Sequence, residues 1–219
     1  MANDPKIHEK SDLTYNDYLK VPELTALQRP LSVPAHHDEM LFIIIHQAYE
    51  LWFKLVIHEL ESARDYMAKR QVLRAHHFVK RVVEIQKLLV NQIHILETMT
   101  PVEFLQFREN LMPASGFQSL QHREIEFMCG MKDERYFQYF KNPPEVVARL
   151  RKRFDGPDLS ISFLKLASDL GYSTPERDSP ENREKVLAGL KPIYQDPSHN
   201  LPLYLLADSL LDLAPGLSL

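Results

Sequence analysis

From about Asp38 to Tyr66, apolar residues recur at spacings of three and four until they cover most of a helical circumference. That is the pattern of a central helix packed on several sides. Any fold for this chain has to be built around it. Phe42, His46, Tyr49 and Phe53 fall on one stripe of this helix, which sets an imidazole in line with three aromatic rings. A second long helix follows, with Phe78, Val82, Ile85, Leu89, Ile93 and Leu96 on one apolar line and Lys80, Arg81, Glu84 and Lys87 off it. The chain has only six glycines in 219 residues and no sustained alternation of period two, so strands are not expected. The expected fold class is all-α, a single-domain helical bundle.

Residues 1–35 differ from the rest. They begin polar, pass through Leu13-Thr14-Tyr15-Asn16-Asp17-Tyr18-Leu19 and meet Pro22, Pro30 and Pro34, which break any long helix. This reads as an N-terminal arm ahead of a helical domain over 36–213. Within that domain, Thr100-Pro101-Val102-Glu103 is a capping box with proline where no donor is needed, so a helix bearing Phe104, Phe107, Arg108 and Leu111 starts there. Pro113-Ala114-Ser115-Gly116 then forms a loop into a helix from Phe117 to about Cys129. Further helices are expected near 133–140, 144–154 and 158–170. Pro175, Pro180, Pro192 and Pro197 make 171–200 a loop around at most one short helix near 181–190. Leu201 to Leu213 forms a last apolar helix before an atypical tail over 214–219.

Several function classes are disfavoured. The charge of -4 comes from 30 acids and 26 bases mixed along the chain, with no basic stripe for nucleic acid. No apolar run approaches the roughly 20 residues that cross a bilayer, and the first residues lack a charged region followed by an apolar one. A soluble, cytoplasmic protein is expected. Cys129 is the only cysteine, which excludes an intramolecular disulfide, a thiolate zinc cluster and covalent c-type haem attachment.

Five features carry candidate chemistry. His36-His37-Asp38-Glu39 combines imidazole and carboxylate, either as metal ligands or as the acidic start of a helix. His46 is either a core histidine bonded to a neighbour or a reactive one. Arg108, beside Phe104 and Leu111, either snorkels to water or forks an anion. Ser115-Gly116 precedes a helix, where free amides suit a carboxylate or propionate. Tyr15 and Tyr18 are either packing residues of the arm or contacts to something beyond it. No His-Glu-x-x-His or Glu-x-x-His occurs.

Taken together, the Leu13–Leu19 segment, His36-His37-Asp38-Glu39-Met40-Leu41-Phe42 through Leu55, Leu96-Glu97-Thr98-Met99-Thr100-Pro101, and Ser115-Gly116-Phe117-Gln118-Ser119-Leu120-Gln121 with Arg123–Phe127 resemble the haem-dependent tryptophan 2,3-dioxygenases in order and spacing. The likeness is close from about residue 12 to 132 and looser to about 213. It implies a bundle of the tryptophan/indoleamine dioxygenase type, assembled as a homotetramer, with non-covalent haem b. The implied reaction takes L-tryptophan and O2 to N-formylkynurenine, the first step of tryptophan catabolism by the kynurenine route.

On this resemblance His46 is the distal catalytic histidine, Phe42 packs on the indole and Arg108 pairs with the substrate carboxylate. Phe104 stands where other members carry tyrosine or phenylalanine near that carboxylate. Ser115 and Gly116 lie at the haem and substrate edge, and Tyr15, Tyr18 and Leu19 close a neighbouring subunit's pocket. Beyond the counterpart of Leu205–Leu213 the family continues into a helix with the proximal iron-ligating histidine and a Gly-Thr-Gly-Gly loop, and no histidine of this sequence matches that ligand. The expectation is therefore a shortened or frame-shifted dioxygenase of reduced or no activity, the alternative being a non-catalytic helical scaffold or interaction protein derived from the family.

Overall fold

A computed structural model describes residues 13–213; the polar start of the arm and the tail over 214–219 lie outside them. Every regular element among the described residues is helical. Two short helices, α1 (Tyr15–Leu19) and α2 (Val21–Leu24), make up the arm. A capping box between Thr14 and Asp17 starts α1, and Lys20 at φ 54° turns the chain between the two.

The long α3 (His37–Ala68) and α4 (Val72–Leu96) form a helical hairpin. Arg70, at φ 56°, occupies the left-handed region in the tight connection. Their shared core sets Val56, Leu60, Ala63 and Met67 with Ala75, Val79, Val82 and Leu89, all nearly sealed from solvent. The alanines at 63 and 75 let the two helices approach closely where they meet. Within this layer Arg81 pairs with the buried Glu59 at 2.8 Å.

The capping box at Thr100 starts α5 (Pro101–Leu111) as the sequence predicts, with Glu103 returning to the Thr100 amide at 2.7 Å. The helix expected from Phe117 begins instead as a 3-10 turn (Gly116–Gln118), and α6 (Leu120–Met128) starts afresh with Ser119 as its own N-cap. Two serine caps four residues apart, Ser115 and Ser119, split what periodicity alone reads as one element. The segment near 133–140 is likewise a 3-10 helix (Glu134–Tyr139), followed by α7 (Pro144–Asp155) and α8 (Leu159–Asp169).

The largest departure is α9 (Arg183–Gln195), which is longer than expected and carries Pro192 inside it. Pro192 lies in the last turn, where it forfeits one amide while its own carbonyl accepts from Asp196 at 3.2 Å, so the helix runs past it. Finally α10 (Leu201–Leu213) lays Leu203, Leu206, Ala207 and Leu213 into the core shared with α4. A smaller cluster of Phe127, Phe140 and Leu150 fastens α6 to α7.

By length and composition α3 is apolar enough to cross a membrane, which the search for an uninterrupted apolar run missed. Met40, Ile44 and Leu51 on it are exposed, while another face packs into the core. Glu39 and Glu59 are buried along it, and α4, α5, α6 and α8 lie against it. One end of this helix therefore sits where the arm, α5 and the start of α6 converge.

Candidate active site

Construction of the site begins at the start of α3. His36 is the N-cap: its Nδ1 accepts the Asp38 amide at 3.3 Å, which leaves Nε2–H to donate to Gln106 Oε1 of α5 at 2.8 Å. Glu39 is fully buried and accepts the amides of Leu31 at 2.6 Å and Ser32 at 3.1 Å, together with the Ser32 hydroxyl. Burial alone would raise its pKa. The donors from Leu31 and Ser32, with the nearby His36, outweigh that and hold the carboxyl below its ordinary value. Among the described residues no group of three His, Cys, Asp or Glu side chains could hold a bare metal ion. The His-His-Asp-Glu run thus serves as cap and anchor, tying the base of the arm to α3.

One turn further along, Phe42 and His46 pack ring on ring at 4.0 Å. The His46 Nδ1 lies 2.7 Å from the Phe42 carbonyl oxygen. An oxygen without a proton must accept there, so Nδ1 carries the hydrogen and the neutral ring presents Nε2 as a bare lone pair. His46 is exposed, so this lone pair is open to a ligand.

From α5, Phe104 stacks on Phe42 at 5.6 Å and the buried Phe107 meets both rings edge-on. Arg108 lies over the Phe104 ring at 5.3 Å and is exposed, with no ion pair among the described residues. Its planar group is thus held by an aromatic face while its donors point to open space. The structure unites Phe42, His46, Phe104 and Arg108, which lie on two helices, into one aromatic cluster that carries an exposed acceptor nitrogen and an exposed cation.

Ser115 and Gly116 lie on the exposed loop that leaves α5. The Ser115 hydroxyl accepts the Phe117 amide at 3.3 Å, and the Ser115 amide is taken by Gln118 Oε1 at 3.1 Å. The Ser115 and Phe117 amides are thus engaged inside the turn. Gly116 is its open point, since a Cβ there would meet nothing within 4 Å. Tyr15 and Tyr18 are 74% and 73% exposed and Leu19 is exposed beside them, so the structure does not bring the arm tip into this protomer's own cluster.

A functional neighbourhood that sequence reasoning missed lies below His46. Glu50 accepts the Ser119 hydroxyl at 2.6 Å and the Gln121 side-chain amide at 2.8 Å. Next to it, His122 packs on Phe53 at 5.4 Å and accepts from Arg123. The available signal was Glu50 standing one helical turn from His46, the only acid between Glu39 and Glu59 on α3.

Against the haem that the resemblance implies, the described residues offer an aromatic wall and an open imidazole nitrogen, which suit one face of an apolar macrocycle and a ligand above it. The residues on the His46 side fit such a group.

A family model described as tryptophan 2,3-dioxygenase matches residues 2–180. The tryptophan 2,3-dioxygenase of a Nocardioides species is 42% identical over 206 residues, covering 92% of this chain and 75% of the relative. That of Xanthomonas euvesicatoria pv. vesicatoria is 43% identical over 175 residues, covering 79% of this chain and 59% of the relative. That of Xanthomonas campestris pv. campestris is 43% identical over 176 residues, again spanning 59% of the relative. With a match over most of its length and a cluster built from the motifs that carry the likeness, the chain belongs to the tryptophan 2,3-dioxygenase family.

Proposed function

We propose that this chain binds L-tryptophan in the cleft between α3 and α5 and, with haem b, takes part in its oxidation by O2. Both oxygen atoms enter across the indole C2–C3 bond to give N-formylkynurenine, with no other atom gained or lost. The observation that carries this reading is the juxtaposition of His46, Phe42, Phe104 and Arg108.

Each residue has a task that its geometry supports. Phe42 and Phe104 present stacked faces of the size of an indole. The His46 Nε2 lone pair accepts the indole N–H, because Nδ1 is already committed to the Phe42 carbonyl. That bond orients the ring and gives the indole proton a place to move as C2 and C3 become oxidised. Arg108 forks the substrate carboxylate, which a lysine at this position does less well. Haem b, when bound, supplies the unpaired electrons without which ground-state O2 does not react with a closed-shell indole. Ser115 and Gly116 would lie at its edge. The exposed tyrosines of α1 and Leu19 are suited to closing a neighbouring protomer's cleft, and the assembly is a homotetramer in the cytoplasm.

Titration of the hemin-loaded chain, followed by its Soret band, tests the assignment. L-Tryptophan is expected to bind at least about tenfold more tightly than tryptamine, which lacks the carboxylate. Arg108→Lys should remove most of that preference, and whatever N-formylkynurenine the wild-type chain forms under air should be absent with His46→Ala. Equal affinity for the two indoles, or no response to either, would overturn the reading.

A further inference from the structure

Glu50 lies one helical turn beyond His46 on α3, and both of its carboxylate oxygens are engaged by the segment that follows α5. Oε1 accepts the Ser119 hydroxyl at 2.6 Å, and Oε2 accepts Gln121 Nε2 at 2.8 Å. The same amide group also reaches the Glu50 backbone carbonyl at 2.8 Å. Having given its only proton to Glu50, the Ser119 hydroxyl accepts the His122 amide at 3.2 Å and so caps α6. One carboxylate therefore fixes both the end of the 3-10 turn and the beginning of α6.

The turn is already tight within itself. Ser115 and Gln118 close a capping box, and the Ser119 amide donates to the Gly116 carbonyl at 3.0 Å. A small closed unit of this kind moves as a body unless an external group holds it. Its upstream side leads to α5, seated by the buried Phe107 and by the His36 to Gln106 bond. Its downstream side is held by Glu50, across 69 residues of sequence.

We propose that Glu50 is a positioning residue, which sets the Ser115–Gln118 turn at a fixed distance from His46. What the turn then contributes to ligand binding rests on the function proposed above; the positioning itself does not. A carboxylate suits the task because two donors converge on it, one per oxygen. In Glu50→Gln one of the two faces an amide N–H, which only a rotated Ser119 hydroxyl can accept, and the charge is lost from the other bond as well, so both ties weaken without loss of volume.

The test uses Glu50→Gln, Glu50→Asp and the milder Ser119→Ala in the full chain, read first by hydrogen exchange without any ligand. Amides of residues 114–122 are expected to exchange about tenfold or more faster in Glu50→Gln, less so in Ser119→Ala, while α4 is unchanged and Glu50→Asp restores part of the protection. The second reading is L-tryptophan affinity of the hemin-loaded variants, expected to fall by about tenfold in Glu50→Gln with KM rising more than kcat falls. Unchanged exchange over 114–122, or a rise shared by the whole chain, would overturn the proposal. So would a loosened turn with undiminished tryptophan affinity. If the wild-type chain itself ignores tryptophan, the proposed function fails while the exchange result still decides Glu50.

Discussion

At His122, burial and the adjacent Arg123 guanidinium push the imidazole down from 6.5 to about 4, against the opposing pull of Glu50. The contact explains the direction: Arg123 Nη2 donates to His122 Nδ1 at 2.9 Å, so a proton on that nitrogen would face another N–H. Glu126, at 3.8 Å from the same nitrogen, is too far to reverse this. Because the folded-state pKa is depressed, the unfolded chain takes up a proton between pH 6.5 and about 4 that the folded chain refuses. Stability is full above the upper value and is lost as pH falls through that window. At about 1.4 kcal/mol per unit the loss amounts to a few kcal/mol. Urea midpoints measured from pH 7 to pH 4.5 should therefore fall in the wild type and fall distinctly less in His122→Gln, whose amide oxygen can still accept from Arg123. Parallel profiles for the two would show that His122 is not the source of the acid sensitivity.

Among the elements, the arm and α3 depend on one buried side chain. Glu39 gathers three donors from Leu31 and Ser32, and the Ser32 hydroxyl in turn accepts the His36 amide at 2.8 Å. Glu39→Gln sets an amide N–H against a donor in a site closed to water, which costs about 1–3 kcal/mol. Since this carboxyl is held below its ordinary pKa, its contribution is present above about pH 4.5 and fades as pH falls through the lower folded value. The variant is expected to lose stability at pH 7 and to frees the arm to proteolysis ahead of Gln47, with the difference from wild type narrowing in acid. An unchanged midpoint and digestion pattern at pH 7 would rule the anchor out. The sequence makes α3, α4 and the start of α5 legible because their signals are local: apolar residues at helical spacing, and Thr100 with Glu103 three residues on. It also sets Phe42 and His46 on one helical stripe and Phe104 and Arg108 together on another helix, and the structure brings the four into one cluster; their roles rest on the family resemblance. What it does not disclose are contacts between distant segments, such as Glu50 with Ser119, Glu39 with the arm, and Tyr49 donating to the Leu89 carbonyl at 2.6 Å. Nor does periodicity register Pro192 inside α9, where the lost amide bond falls near a helix end.

Across the whole molecule, ion pairs and apolar surface divide the labour. Glu124 is fully buried on α6 and receives Arg149 and Arg153 of α7, while Arg153 also reaches Glu61 of α3, so Arg153 ties three helices through two carboxylates. Removing Glu124 leaves Arg153 with Glu61 alone and the half-exposed Arg149 to water, and Glu124→Ala should destabilise the chain by about 1–3 kcal/mol, read as a shift in thermal or urea midpoint. The opposite case is the arm, where Tyr15, Tyr18, Leu13, Leu27 and the 95%-exposed Val33 leave apolar side chains in water. Burying an aromatic or large aliphatic side chain is worth about 1.5–3 kcal/mol, so covering this surface is favourable. If the arm tip closes a neighbour's cleft, two defective chains should repair each other. His46→Ala protomers keep an intact arm, and Tyr15→Ser/Tyr18→Ser protomers keep an intact cleft. When the two are unfolded together and reassembled, random assortment makes about a quarter of the sites whole. Tryptophan binding by the hemin-loaded mixture should then exceed that of either variant alone. An arm that serves only its own protomer leaves every site with one defect, and the mixture would bind no better than the average of its parts.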